Sequence, residues 1–219
     1  MDKIRLVYER TGRAVWISHL DMMRMLQRAM NRAGVPIRYS EGFNPHALVS
    51  ILMPLSVGTE SVCQMVDIRV REDVDLETLP ERLTAVMPEG IRFHKAYENG
   101  AKPAQLKWLR VEGVWEYDNG NAKEAEQACR ELFAGPVSVM RRTKRGEGLL
   151  ELNEHVRELE FTAESDTILR VRAVVSAADP VVNPDLLTAA VRQHKGEFAP
   201  SQAQFCRMAL YEENMAEFV

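Results

Sequence analysis

A chain of 219 residues makes one large domain or two domains of about 100 residues each. Its 46% apolar and 27% charged content is ordinary for a soluble globular protein, and its net charge of −4 argues against a general, histone-like binder of nucleic acid. No apolar run approaches the roughly 20 residues that span a bilayer, and Met1-Asp2-Lys3-Ile4-Arg5 leads straight into an alternating pattern without a signal peptide, so a cytoplasmic protein without a membrane role is expected.

Lys3 to Arg10 alternates polar with Ile4, Leu6 and Tyr8, the period of a half-buried strand. A helix is expected from His19 to Ala33, with Met22, Met25, Leu26, Ala29 and Ala33 as its apolar stripe and Gly34 as its stop. Strands follow at 35–40, 48–55 and 62–71, then a helix over 76–86 and a strand over 91–97. Asn99-Gly100-Ala101-Lys102-Pro103 reads as a linker. Beyond it come a strand over 106–117, a helix over 122–133, strands at 137–142, 149–152 and 168–175, a helix opened by Asn183-Pro184 and ending at His194, and a last strand over 205–211. Both halves therefore read β-α-β-β-β-α-β. Two ferredoxin-like α+β lobes, residues 1–98 and 106–219, are the economical assignment, although residues 47–61 suit an ordered loop as well as a strand.

Charge is uneven. Residues 1–50 hold eight Lys and Arg against four acids, while Glu212, Glu213 and Glu217 make the C-terminus acidic. The cysteines at 63, 129 and 206 are far apart, so neither a disulfide framework nor a zinc ribbon is supported. An iron–sulfur cluster needs clustered thiolates, so no such cofactor and no metal are expected on this chain.

The densest group of reactive side chains is Ser40-Glu41-Gly42-Phe43-Asn44-Pro45-His46, read with Ser18-His19-Leu20-Asp21. Ser18 and Asp21 have the spacing of a capping box. A His19–Asp21 dyad is poor geometry, because positions two apart in a helix diverge by about 200°. His19 falls with Met22 and Leu26, and Asp21 with Arg24 and Arg28. If 35–40 returns parallel to 3–10 through the intervening helix, both histidine-bearing turns reach one rim. Gly42, Asn44-Pro45 and an apolar anchor at Phe43 would then form a shelf presenting Glu41, Asn44 and His46. At that rim His19 and His46 are candidates for proton transfer or ligand contact, and a plain loop-stabilising hydrogen bond suits His46 as well. Arg24, Arg28 and Arg32 form a ridge that is either solvated or tracks phosphates. Arg141-Arg142-Thr143-Lys144-Arg145 places four cations in five residues at a hairpin tip, fit for phosphate contact or for protecting a sheet edge. No nucleophile elbow, phosphate loop, dinucleotide fingerprint or zinc-protease helix is present.

Trp16-Ile17-Ser18-His19-Leu20-Asp21, Arg32-Ala33-Gly34, Tyr39 through His46, Met53-Pro54-Leu55-Ser56-Val57-Gly58, Glu60-Ser61 and Asp67 together resemble the bacterial radical SAM-linked proteins, a domain of unknown function. The likeness covers about residues 1–98, and the second half follows only in general pattern. One departure is Ala47-Leu48 where that family often has Pro-Lys. The resemblance implies an accessory to a separate radical SAM enzyme, which would itself carry S-adenosylmethionine, an iron–sulfur cluster and cobalamin. Combined with the cations, it suggests binding an RNA, a tRNA or rRNA, for modification. Two rivals stay open: a metal-independent RNA-processing enzyme using His19 and His46, and a protein–protein adaptor.

Overall fold

The computed structural model describes residues 2–98, 100–143 and 146–219, residues 142 and 143 by backbone alone. It is a mixed α+β protein, mostly antiparallel in its pairing, with four α-helices among the described residues. The chain divides into two compact units, Met1–Gln105 with Phe218–Val219, and Leu106–Glu217.

In the first unit the alternation of Ile4, Leu6 and Tyr8 makes β1 (Lys3–Arg10), one face of which is buried. A 3-10 turn over Gly12–Trp16 leads to α1 (His19–Arg32). There follow β2 (Val49–Leu52), β3 (Glu60–Arg69), the short α2 (Leu79–Thr84) and β4 (Ile91–Glu98). β1 lies antiparallel between β3 and β4, and β2 pairs antiparallel with the outer side of β3, so the order is β4-β1-β3-β2. Met22, Leu26 and Met30 of α1, with Leu79 and Leu83 of α2, pack on Ile4, Leu6, Tyr8, Val66, Ile68 and Phe93. Helical spacing thus meets strand alternation over one face, the burial that drives folding. Ser18 caps α1 by accepting the Asp21 N–H at 3.2 Å, and Gly34 ends it at φ 66°. Gly90 is required ahead of β4. Its φ is 86°, its carbonyl accepts from Thr11 N–H at 2.9 Å, and a Cβ would lie 2.3 Å from the Thr11 oxygen.

Two expectations for this unit change. The strand over 35–40 shrinks to isolated bridges, Ile37 with Val70 and Tyr39 with Ala47. Arg38 N–H donates to Arg69 O, and Arg69 N–H donates to Leu48 O. Residues 37–38 and 48–52 are therefore one interrupted edge, with 39–47 looped out where Gly42 and Asn44-Pro45 break the alternation. Nor does 35–40 lie beside β1. It runs in the same direction, with β3 between them. This unit reads β-α-β-β-α-β among its described residues.

The second unit comprises β5 (Trp108–Glu116), α3 (Ala122–Ala134), β6 (Ser138–Thr143), β7 (Gly146–Glu151), β8 (Val156–Ala163), β9 (Ile168–Ser176), α4 (Asp185–His194) and β10 (Gln202–Tyr211). Its sheet order is β10-β5-β9-β8, antiparallel throughout, with β6 and β7 paired as a separate hairpin. Trp115 is enclosed between Phe161 and Phe205, at ring-centroid distances of 5.8 and 6.4 Å. The extra strand relative to expectation is β8. A bulge at Glu158, φ 48°, puts Val156 out of phase with Leu159 and Phe161 and hides the alternation.

Candidate functional site

Arg10, at the end of β1, is buried and spends its donors on the backbone: Nε on Ala14 O at 3.1 Å, Nη2 on Val15 O and on Ile17 O at 3.0 Å. Burial lowers its pKa from the ordinary arginine value. It ties the turn before α1 to the sheet, which sets the position of His19. His19 is solvent-exposed and borders a void of only about 10 Å³ among Tyr8, Arg10, Met22, Leu55 and Gln64, on the helix-bearing face. Asp21 turns to the other side of the helix. It accepts from the Ser18 hydroxyl at 2.8 Å and from Arg24 at 3.1 Å, and these hold its carboxyl below the usual range.

His46 closes the looped-out segment. Its Nδ1 lies 2.8 Å from Ser40 Oγ, its N–H donates to the same oxygen at 3.1 Å, and its carbonyl accepts from Ser40 N–H at 2.9 Å. Nε2 is left as the ring's remaining polar atom. Glu41 and Asn44 on this loop are exposed, and Phe43 is fully exposed, so it projects from the loop and does not anchor it. His46 lines a cavity of about 360 Å³ with Lys3, Ser50, Asp67, Arg69 and Pro103. Register places Lys3 opposite Arg69 and Asp67 between Arg5 and Ser50, on the sheet face away from Ile4, Leu6 and Tyr8.

His19 and His46 therefore do not share a rim. They lie on opposite faces of the sheet, one beside Tyr8 and Arg10, the other beside Lys3, about 20 Å apart along the strand. Two imidazoles so placed do not flank one scissile group. The cause is the edge strand: it leaves β3 level with Val70 and Arg69, at the start of β1, before it has climbed to the end where α1 begins.

Arg24, Arg28 and Arg32, one helical turn apart, line a groove of about 600 Å³ together with Asp21, Met25 and the turn Val86-Met87-Pro88. Arg24 pairs with Asp21, and Arg32 donates to Val86 O at 2.5 Å. Arg28 is exposed and has no protein partner among the described residues.

In the second unit, β6 and β7 pair as a hairpin that includes Arg141 and Arg142 of the basic stretch 141–145. Arg141 is half-buried opposite Gly148, whereas the Arg142 side chain, Lys144 and Arg145 lie outside the described residues. Elsewhere in this unit Arg170 pairs with Glu164 and Glu112, Arg172 with Glu112, and Arg110 with Glu158. Among the described residues none of the three cysteines is in a disulfide. Burial pushes the Cys129 thiol up to about 12 and raises the Tyr117 phenol as well, so both stay protonated at neutral pH. Among the described residues no three His, Cys, Asp or Glu side chains gather as a metal site, and no helix is long and apolar enough to cross a membrane.

Lys3, Arg5, Ser50 and Arg69 were not singled out from sequence. For Lys3, Arg5 and Arg69 the signal was present as charge at alternate positions of otherwise apolar strands, Lys3-Ile4-Arg5-Leu6 and Val66-Asp67-Ile68-Arg69.

A family model described as "Uncharacterized protein conserved in bacteria (DUF2344)" matches residues 3–184 and so extends well into the second unit. Among solved structures, one titled "Crystal Structure of an Unknown Protein from Galdieria sulphuraria" aligns over 96% of this chain and 98% of its own, at 11% identity and a TM-score of 0.25. No curated protein matches.

Proposed function

The chain belongs to the uncharacterized bacterial family DUF2344, and on that premise we propose that it binds an RNA, a tRNA or rRNA, and presents it to a separate radical SAM enzyme. We read each unit as a ferredoxin-like lobe, on the strength of strand orders in which the first strand is flanked by the third and the last. The observation that carries RNA binding is the α1 groove. Three arginines one turn apart on a single rigid helix suit successive phosphates of a strand, and Arg28 has no competing carboxylate. The link to a radical SAM enzyme rests on the motif resemblance over residues 16–67, with S-adenosylmethionine, iron–sulfur cluster and cobalamin all on that partner. Contacts by Glu41 and Asn44 belong to this reading as recognition of exposed groups beside the loop.

Titrating a fluorescently labelled tRNA against salt tests the reading. With the triple variant Arg24→Ala/Arg28→Ala/Arg32→Ala the slope of log affinity against log salt should fall by about two to three. Unchanged affinity and slope would sink it. A pure protein adaptor is the second reading, favoured by Trp16, Leu20 and Phe43, large apolar side chains that stay exposed at 70%, 66% and 108%.

A further inference from the structure

The cavity on the open face of the first unit has a floor of unusual construction. Arg5 is fully buried and grips Asp67 with two bonds, Nε to Oδ1 at 2.7 Å and Nη2 to Oδ2 at 3.1 Å. The guanidinium lies 5.0 Å from the Phe218 ring, and a Cβ on Gly100 would come within 2.8 Å of it. Nη1 is buried without a hydrogen-bond partner among the described residues. An interior ion pair is a poor way to stabilise a sheet, since desolvation offsets most of the attraction. What the arrangement does achieve is to hold the Asp67 carboxylate rigidly at the cavity wall, where Lys3 also reaches it at 2.8 Å.

Charge around the cavity is unbalanced. Lys3, Arg5, Arg38 and Arg69 face Asp67 and Asp2, the latter 3.3 Å from both Arg38 and Arg69. These four cations and two carboxylates leave a formal excess of two positive charges. Leu48 and Pro103 add apolar surface, and His46 adds an imidazole held by Ser40. The volume of about 360 Å³ falls in the range of small-molecule sites. An occupant needs an anionic group for Lys3 and Arg69, an N–H or O–H donor for Asp67, and a flat apolar body against Leu48 and Pro103.

We propose that this cavity binds a nucleoside monophosphate unit, either as a free nucleotide or as one unstacked residue of an RNA strand. The phosphate meets Lys3 and Arg69, and the N–H edge of the base meets Asp67, which accepts but cannot donate. The site is distinct from the α1 groove and does not rest on it. It uses residues on the opposite sheet face.

Backbone amide NMR of the full chain tests the proposal with four probes: the ribonucleoside 5′-monophosphates, inorganic phosphate, ribose, and a short single-stranded oligoribonucleotide. Saturable shifts centred on Lys3, Ser50, Asp67 and Arg69 with a mononucleotide support the free ligand. The same shifts with the oligonucleotide alone support the RNA residue. Ser50→Tyr, at an exposed edge position, fills the cavity and should weaken binding by about tenfold or more, as should Lys3→Gln. Both variants must keep the native spectrum elsewhere, and Ser50→Thr should retain binding. Shifts with inorganic phosphate as large and as tight as with nucleotides, or no saturable shift with any nucleotide, overturn the proposal. Arg28→Ala should leave mononucleotide binding intact, so failure here and failure of the α1 groove are read separately.

Discussion

The two units use one strand order for different ends. β4-β1-β3-β2 and β10-β5-β9-β8 both set the first strand between the third and the last, yet their charges are deployed in opposite ways. On β5 and β9, Arg110, Arg170 and Arg172 each meet a glutamate on another strand or turn of the sheet, and Arg157 of β8 lies over the Trp108 ring at 3.7 Å. In the first unit Arg28 stays unpaired on α1, and the cations around Asp67 outnumber the acids. Their insertions differ as well. A nine-residue loop interrupts the edge strand of the first unit, whereas the second adds a paired hairpin, β6–β7. Uncompensated charge on a rigid scaffold is available to a ligand, while cross-strand pairs satisfy each other.

The largest effect should come from the buried pair. Asp67→Ala strands Arg5 in the interior and should cost about 3–5 kcal/mol in chemical denaturation. Arg170→Ala, in the exposed network of the second unit, should move the midpoint little. Equal losses would erase the contrast.

Next comes alkaline stability, which belongs to the second unit. Cys129 is protonated in the fold up to about pH 12 but ionises near its ordinary value of 9.0 when unfolded. The folded state then binds more protons, so its stability is complete below about pH 9 and falls between about 9 and 12, by about 1.4 kcal/mol per pH unit. Buried Tyr117 acts in the same direction at higher pH. Denaturation across that range should show the decline, and Cys129→Ala should flatten its lower part.

A smaller change is expected in RNA affinity. Arg28→Ala should reduce binding severalfold and the salt slope by about one, while Arg172→Ala, whose charge is engaged by Glu112, should do less. Anisotropy titrations on both variants settle the order, and a larger loss from Arg172 would move the interface to the second unit.

Smallest is the loss from single histidine contacts. His46→Ala removes one bond to Ser40, and His194→Ala removes one to Ser138 O at 2.8 Å. Each should cost less than about 1 kcal/mol in thermal melts. If His46 contacts a ligand, its variant alone should also weaken mononucleotide binding.

Local rules decided much of this protein from sequence. Apolar spacing marked α1, Ser18 capped it by accepting the Asp21 N–H, Gly34 stopped it, and alternation marked β1, β3, β4, β5, β9 and β10, because these signals act within a few residues. β8 escaped since a single bulge reverses side-chain phase. What reached beyond the chain's neighbourhood was settled only in three dimensions. Whether 35–40 lies beside β1 or beyond β3 depends on hydrogen bonds between distant strands, and that choice sends His46 to one face and leaves His19 at the other. Arg5 and Asp67, 62 residues apart, meet for the same reason: strand register, which alternation constrains only to a face, selects the pair.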